Sequence, residues 1–151
     1  MKVENGFGRE LTLAAEGETA VEGGVLGYID NQALEIDCIR AESVAGGREK
    51  FEAFRCGKTG REEMIDVGQV QGALVLRTWR QGDRFEPLGA KGAKTLGDFF
   101  TDAKAPVEYR KRIGLVCDDA GIVWVIGMRI AERVKITAGT REILKLTVEE
   151  G

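Results

Sequence analysis

The sequence predicts an α+β fold in which a strand-dominated, layered β domain carries two short helices. Short apolar runs bounded by glycine-rich breaks occur along most of the chain, and helical periodicity is confined to two short segments. A chain of 151 residues is long enough to bury a hydrophobic core. Because strands do not alternate with long helices, a doubly wound parallel sheet is not expected.

About nine short strands are predicted, and two pairs of them should form hairpins. Residues 24–30 and 33–40 flank Asp30-Asn31, whose turn chemistry favours a tight connection. The second run alternates apolar and acidic side chains, which is the period of a strand with one wet face. Residues 115–117 and 122–126 flank another turn in the same way. The other strand candidates are residues 11–13, 50–55, 62–67, 73–79, 133–137 and 142–148.

Two short helices are predicted in the second half of the chain. Residues 94–103 place Leu96, Phe99 and Phe100 on one apolar helix face. Residues 106–112 begin with proline, which suits the first position of a helix. The segments predicted to be turns or loops are residues 16–24 and 81–92.

The residue content excludes several kinds of site. The chain has no histidine, which removes Ser-His-Asp and Cys-His catalytic systems and Cys/His metal sites. Cys38, Cys56 and Cys117 are widely spaced and odd in number, so we expect reduced, mostly buried thiols, with a Cys38–Cys56 bridge as the less favoured alternative. Gly57-Lys58-Thr59 resembles the end of a phosphate-binding loop, but Glu52 stands where that loop requires glycine. We therefore expect no catalytic residue, cofactor or metal in this chain.

The cytoplasm is the expected compartment, with no membrane partner. No apolar stretch approaches the roughly 20 residues needed to cross a bilayer. Residues 1–6 lack the apolar segment of a secretory signal.

Charge is divided unequally along the chain. Residues 1–76 carry 8 Lys and Arg against 14 Asp and Glu, whereas residues 77–145 carry 14 against 9. We therefore divide the chain into an acidic, strand-rich segment, 1–76, and a basic domain, 77–148. Although the formal net charge is −3, a polyanion responds to the local field, so the basic domain favours nucleic-acid binding. The alternative is that these charges are an ordinary solvated surface.

The basic domain groups its cations at a strand end, at glycine-containing loops and at helix ends, where they suit an anionic backbone. Nine residues are predicted to contact phosphate and sugar: Arg77, Arg80, Arg84, Lys91, Lys94, Lys104, Arg110, Lys111 and Arg112. A structural role is the alternative for each of them, since Asp83 could hold Arg80 or Arg84 in an ion pair. Trp79 and Phe85 fit a core better than a base-stacking platform.

Three ordered blocks of the basic domain resemble a known family. Arg-Thr-Trp-Arg-Gln-Gly-Asp-Arg-Phe-Glu-Pro-Leu-Gly (77–89) is similar to its arginine-rich Pro-Gly-Asp-Arg-Phe-x-Pro-x-Gly signature. Lys-Thr-Leu-Gly-Asp-Phe-Phe-Thr-Asp-Ala-Lys-Ala-Pro (94–106) resembles its Lys-Lys-Leu-Lys-Asp-Phe-Phe-x-Asp-x-Lys-x-Pro helix. Ile-Val-Trp-Val-Ile-Gly-Met-Arg-Ile-Ala-Glu-Arg (122–133) resembles its Ile-Val-Trp-Val-x-Gly-x-Arg-Ile-x-Glu-Arg strand. The family is the C-terminal region of tRNA(Ile)-lysidine synthetase, from which Gln81, Thr95 and Gly97 depart.

The resemblance implies a layered β domain of a kind also found in phenylalanyl-tRNA synthetase β subunits. The complete enzyme is an ATP-dependent ligase that joins lysine to the wobble cytidine of an isoleucine tRNA, and its C-terminal region grips the tRNA, largely at the acceptor stem. Its Ser-Gly-Gly-x-Asp-Ser loop for ATP does not occur in this chain, so ATP and Mg²⁺ are expected in a separate catalytic domain. The resemblance thus implies a module that binds tRNA(Ile) and has no enzymatic activity in isolation. The rival is a structural or dimerisation module whose arginines pair with the acidic segment.

Overall fold

A computed structural model describes residues 10–45 and 47–150. The strands in these ranges are β1 (Leu11–Thr12), β2 (Gly17–Ala20), β3 (Leu26–Ile29), β4 (Gln32–Val44), β5 (Glu62–Asp66), β6 (Val75–Arg77), β7 (Arg84–Phe85), β8 (Lys94–Thr95), β9 (Leu115–Asp118), β10 (Gly121–Val125), β11 (Arg129–Ile130) and β12 (Ile143–Glu150). The α-helices are α1 (Gly47–Gly57) and α2 (Leu96–Asp102), and 3₁₀ helices span Val67–Gln69, Val107–Arg112 and Glu132–Val134. None of these helices has the length and apolar character needed to cross a membrane.

Two antiparallel sheets form the body of the protein. The first has the order β1-β6-β9-β10-β11, and the second has the order β2-β4-β12-β5 with β3 paired to β4. Strands β7 and β8 form a small separate sheet. Each large sheet contains strands from both sides of residue 76, since β1 lies in the first sheet and β12 in the second. The division into segments 1–76 and 77–148 stays a prediction, and it does not coincide with the division into sheets.

One continuous hydrophobic cluster joins the two sheets. Trp124 and Leu115 of the first sheet and Ile36 and Leu146 of the second are almost completely buried and belong to the same cluster. Burial of large apolar side chains is the main force that holds such layers together. The predicted class, a layered β domain with few short helices, is confirmed.

Both predicted hairpins are present. Asp30 and Asn31 join β3 to β4 with φ angles of 52° and 65°, the left-handed conformation that a type I′ turn requires at both central positions. Strands β9 and β10 pair directly, and the Asp118 Oδ1 atom accepts hydrogen bonds from the N–H groups of Ala120 and Gly121 at 2.9 and 3.1 Å. These local bonds explain why the two turns could be predicted.

The first predicted helix is α2. Its apolar residues Leu96, Phe99 and Phe100 are buried, and the Asp98 N–H donates to Thr95 Oγ1 at 3.1 Å as an N-terminal cap. The second predicted helix is the 3₁₀ helix Val107–Arg112, which follows Pro106.

The prediction of a strand at residues 50–55 was wrong, because these residues lie in α1. This helix has no fully buried residue, so it lacks the broad apolar stripe that reveals helical periodicity. Cys38, Cys56 and Cys117 are all free thiols, as predicted, but the expectation that they are mostly buried was wrong, since only Cys117 is buried.

Residues 81–92, predicted as a loop, contain the two-residue strand β7, and two further segments also differ from the prediction. Residues 16–24, predicted as a turn region, contain β2, whose partner strand β4 begins 12 residues after β2 ends. Residues 133–137, predicted as a strand, begin within the 3₁₀ helix Glu132–Val134, where the Arg133 guanidinium binds the Asp118 carboxylate at 2.8 Å. In both cases a contact between distant parts of the chain decides the local structure.

Candidate nucleic-acid interface

The loop that follows β6 and leads into β7 is closed around the Asp83 carboxylate. Arg77, which is buried, donates to it from Nη1 at 2.9 Å and from Nη2 at 3.0 Å, and the Arg80 N–H donates at 2.8 Å. The Asp83 carbonyl also accepts the Leu96 N–H at 2.9 Å. Burial by itself raises the pKa of Asp83, but the hydrogen bonds from Arg77 and Arg80 outweigh it, so its pKa lies below the usual range. Asp83 is therefore a charged anchor that joins this loop to α2.

Aromatic contacts hold the same loop against α2. Trp79 packs edge-on to Phe100, with ring centroids 5.6 Å apart, and Phe85 packs edge-on to Phe99 at 5.2 Å. A Cβ added to Gly97 would lie 3.4 Å from the Trp79 ring, so the helix backbone contacts the indole. Trp79 and Phe85 therefore pack inward, as expected of core residues.

Three of the nine predicted RNA-contacting residues pair with carboxylates. Arg77 is bound to the Asp83 anchor, Arg80 Nη2 lies 3.0 Å from a Glu10 oxygen, and Lys94 Nζ lies 2.6 Å from an Asp102 oxygen. Arg77 is buried, so a phosphate cannot reach it without breaking the anchor, and the geometry disfavours an RNA contact there. Arg80 is exposed and remains accessible.

Arg110 and Arg112 are oriented by neutral oxygen atoms. Arg110 donates from Nε to the Ala105 carbonyl at 2.8 Å and from Nη1 to Thr101 Oγ1 at 3.1 Å. Arg112 donates from Nε to the Gly24 carbonyl at 3.1 Å. Within residues 10–45 and 47–150 neither guanidinium enters an ion pair. Both positive charges are therefore fixed in position and uncompensated by a direct partner.

The remaining four predicted residues, Arg84, Lys91, Lys104 and Lys111, are exposed, and none of the ion pairs among the described residues includes them. Arg84 lies opposite Thr95, the residue that caps α2. Lys104 follows the other end of α2 in a left-handed conformation, with φ 62°.

The cations attached to the two ends of α2 act within a short distance. Seven residues of α-helix extend for about 10 Å, which is about one Debye length at 0.1 M salt. The backbone positions of Arg84, which pairs with Thr95 at the start of the helix, and of Lys104, just beyond its end, are therefore separated by a distance of this order. Lys111 and Arg112 continue this group along the following 3₁₀ helix. We call the Lys and Arg of residues 84–112 that enter no ion pair among the described residues the α2 cation group: Arg84, Lys91, Lys104, Arg110, Lys111 and Arg112.

Arg129 is an exposed cation that the sequence analysis missed. Its Nη1 donates to the Leu88 carbonyl at 3.3 Å, so it lies against the loop that connects β7 to β8. It also lines a shallow cleft with Phe99 of α2 and with Ala103, which follows that helix. The signal that could have identified it is its place in the 122–133 block, where a charged residue follows an otherwise apolar strand.

Acidic and thiol side chains do not gather into a metal site anywhere in residues 10–45 and 47–150. Burial raises the pKa of the Cys117 thiol to about 11, so this group is protonated at neutral pH. The expectation that the chain holds no catalytic residue, cofactor or metal stays a prediction.

Comparison with protein families shows that residues 74–146 match the model of the TilS substrate C-terminal domain. The tRNA(Ile)-lysidine synthase of Clostridium tetani is 37% identical over 93 residues, which is 62% of this chain and 20% of that protein. That of Caldanaerobacter subterraneus is 40% identical over 82 residues, 54% of this chain and 18% of that protein. The tRNA(Ile)-lysidine synthase of Geobacter sulfurreducens is 45% identical over 80 residues, which is 53% of this chain and 17% of that protein. This chain spans about a fifth of the length of these relatives.

Two solved structures share the fold. A crystal structure of the TILS C-terminal domain superimposes with a TM-score of 0.57 and 26% identity, covering 85% of this chain and 93% of that one. An N-terminal fragment of the phenylalanyl-tRNA synthetase β-subunit from Pyrococcus horikoshii superimposes with a TM-score of 0.50 and 15% identity, covering 67% of this chain and 32% of that one. The second comparison shows a likeness of fold alone.

Proposed function

Because this chain belongs, through residues 74–146, to the C-terminal domain family of the tRNA(Ile)-lysidine synthases, we propose that it is the module that grips tRNA(Ile), on the acceptor-stem side. In this proposal a catalytic domain outside this chain binds ATP and Mg²⁺ and attaches lysine to the wobble cytidine. The work of the module is to position the RNA, in the cytoplasm where tRNA is modified. The observation that carries the proposal is the α2 cation group, which lies within the family domain.

Electrostatics support an RNA partner for this surface. Double-stranded RNA is recognised through its shape, its phosphates and its 2′-hydroxyl groups, so exposed Lys and Arg are suitable contacts. Between residues 84 and 112 there are seven Lys and Arg against four Asp and Glu, and Asp102 is already occupied by Lys94. The local excess of positive charge is moderate, so we expect binding that weakens strongly as salt rises.

Salt-dependent binding of tRNA tests this proposal. The full chain is titrated with tRNA(Ile) and with a control tRNA at several salt concentrations, and the affinity is measured by filter binding. In Arg84→Ala and in Lys91→Ala we expect weaker binding and a salt dependence whose slope falls by about 1, as for the loss of one phosphate contact. Arg48→Ala, which removes an exposed cation of α1, is the matched control and should leave both quantities unchanged. If the first two variants also bind as the wild type does, the assignment of the surface is wrong.

The absence of activity in isolation is tested separately. The purified chain should neither consume ATP nor transfer labelled lysine to tRNA(Ile), because the residues for ATP chemistry belong to the catalytic domain in this proposal. Turnover that co-purifies with the chain and survives repeated chromatography would contradict it.

A structural or dimerisation module is the second candidate function. Its support is that Arg80 pairs with Glu10 of the acidic segment and that an open apolar groove of ≈ 530 Å³, lined in part by Leu13, Leu74 and Ile143, is available for a second copy. This function requires a dimer at low micromolar concentration and no affinity for tRNA. Analytical ultracentrifugation alongside the tRNA titration separates the two candidates.

A further inference from the structure

A second cleft, of ≈ 400 Å³, separates α1 from β11 and from the loop between β7 and β8. No residue of the α2 cation group lines this cleft. Its apolar lining includes Phe51, Phe54, Met64, Leu88, Met128 and Ile136. We call it the α1 cleft.

The aromatic side of α1 faces this cleft and remains partly open to solvent. Phe51 and Phe54 are three residues apart, so they lie on one face of the helix. Both are only partly buried, and α1 has no fully buried residue. Across the cleft, Leu88 is exposed, with 38% of its surface accessible. The cleft therefore presents aromatic rings that the fold covers only in part, and Lys145 Nζ lies over the Phe54 ring, 6.0 Å from its centroid.

The rim of the α1 cleft is positively charged. It carries Arg55, Lys58, Arg129 and Lys135. Arg129 is bound only to a backbone carbonyl among the described residues. Arg55 pairs with Glu52 at 3.0 Å, and both side chains are exposed, so this pair is weak and can open for a phosphate.

The other two rim cations are more strongly held. Lys58 pairs with Glu63 at 2.9 Å, and Lys135 pairs with Glu132. Burial raises the pKa of Glu63 in spite of the hydrogen bond from Lys58. We therefore assign a phosphate to Arg129, which has no carboxylate partner among the described residues, and to Arg55, whose partner Glu52 is exposed; both line the cleft together with the aromatic rings.

We propose that the α1 cleft binds an unpaired nucleotide of the RNA, with its base against Phe51 or Phe54 and its phosphate at Arg129 and Arg55. Aromatic side chains that stack on bases, combined with cations that follow the backbone, are the usual means of binding single-stranded nucleic acid. The volume also falls within the range of small-molecule sites, about 300–1,000 Å³.

The α1 cleft adjoins the α2 cation group, so one RNA molecule can contact both surfaces. Arg129 contacts the carbonyl of Leu88, and the same loop carries Lys91 of the α2 cation group. A base-paired stem on the α2 cation group would thus place a single-stranded end or an unstacked base near the α1 cleft. This inference rests on the proposed function and extends it to a distinct ligand, an unpaired nucleotide.

Fluorescence anisotropy with a fluorescein-labelled, single-stranded RNA octamer tests the inference on the full chain. In the double variant Phe51→Leu/Phe54→Leu, which keeps apolar side chains and removes the rings, we expect about tenfold weaker binding, the loss of one stacked base. Arg129→Ala should weaken binding and lower the salt slope by about 0.7, the value for one contact with a single strand. Arg48→Ala, on the same helix but outside the cleft lining, is the control and should bind as the wild type does.

A second measurement requires no substitution. Ultraviolet cross-linking of the wild-type chain to the octamer, followed by mass spectrometry of the peptides, should place cross-links in residues 51–54 or at Met128. Cross-links confined to other peptides, or an affinity that the phenylalanine substitutions leave unchanged, would overturn the inference. A change of the oligomeric state in Phe51→Leu/Phe54→Leu without a change in RNA affinity would overturn it in favour of a second copy of the chain.

A closed RNA hairpin without a single-stranded end separates this inference from the proposed function. The phenylalanine variant should bind the hairpin as tightly as the wild type, because the α2 cation group is intact. If hairpin binding persists and the octamer is not bound at the α1 cleft, only the inference about the cleft fails. If the wild type binds neither RNA, the proposed function fails with it.

Discussion

Removal of the Asp83 carboxylate is expected to destabilise the protein strongly, because it leaves a charge without a partner in the interior. In Asp83→Ala the Arg77 guanidinium loses hydrogen bonds of 2.9 and 3.0 Å, and the Arg80 N–H loses its acceptor at 2.8 Å. The side chains of Arg77 and Asp83 are only 11% and 12% exposed. Water therefore has little access to the guanidinium that remains.

The size of the effect follows from the burial of the pair. Breaking a buried ion pair from one side costs about 3–5 kcal/mol, and the slight exposure of Arg77 places the expected loss near the lower value, about 3 kcal/mol. In a domain of this size each 1 kcal/mol shifts the Tm by about 2–4 °C, which gives a fall of about 6–12 °C. Asp102→Ala is the control, because the Asp102 side chain is 63% exposed in its pair with Lys94. Its expected loss is at most about 1 kcal/mol.

Urea denaturation followed by tryptophan fluorescence measures both losses. The Trp79 ring packs on Phe100 beside the affected loop, so it reports unfolding at this place. A loss in Asp83→Ala no larger than that in Asp102→Ala would refute the reasoning from burial. The double variant Arg77→Met/Asp83→Ala should recover part of the stability, because it removes the unpaired charge.

Three further predictions concern acid stability, thiol reactivity and backbone strain. Burial alone would raise the pKa of Asp118, but the hydrogen bonds from Arg133, at 2.8 and 3.0 Å, and from backbone N–H groups hold it below the usual 3.8. The stability that results is present above about pH 4 and is lost as the pH falls through the pKa of the folded state. Between pH 7 and about pH 3 the Tm should therefore fall further in the wild type than in Asp118→Asn. Exposed Cys56 should react with a thiol reagent in the native protein, whereas buried Cys117, with its pKa raised to about 11, should react only after unfolding. Gly127→Ala should cost more than about 2 kcal/mol in urea melts, because φ is +88° and the added Cβ would lie 2.3 Å from a backbone oxygen.

Controls and contrary results are available for these three predictions. Gly89→Ala shares a positive φ, 83°, but its Cβ would meet no atom within 4 Å, so it separates the clash from the backbone strain. Equal losses in the two glycine variants would show that the clash is relieved. Equal reaction rates of Cys56 and Cys117 in the native protein would contradict the prediction on thiols. An equal fall of Tm at low pH in the wild type and in Asp118→Asn would contradict the prediction on acid stability.

The features that could be predicted from the sequence are those whose cause is local. The Asp30-Asn31 turn was predicted because these residue types adopt left-handed conformations readily. Helix α2 was predicted because its apolar residues repeat at the helical period. The family resemblance was carried by three blocks, and the family model that matches residues 74–146 confirms it.

The features that could not be predicted depend on contacts between distant residues. Helix α1 has no fully buried residue, and the three-residue spacing of Phe51 and Phe54, which is the local signal for a helix, was missed. The α1 cleft likewise forms only where residues near position 54 meet residues near position 130.

The amino-acid order alone was sufficient for the hairpins, for α2, for the family and for the uneven distribution of charge, because each depends on neighbouring residues or on simple counts. Folding decided which cations remain available to a ligand. It buries Arg77 against Asp83 and leaves Arg84 exposed, although the two arginines are only seven positions apart. The physical reason is that the electrostatic environment of a charged side chain depends on its distance from other charges and from water, and both distances are set by packing.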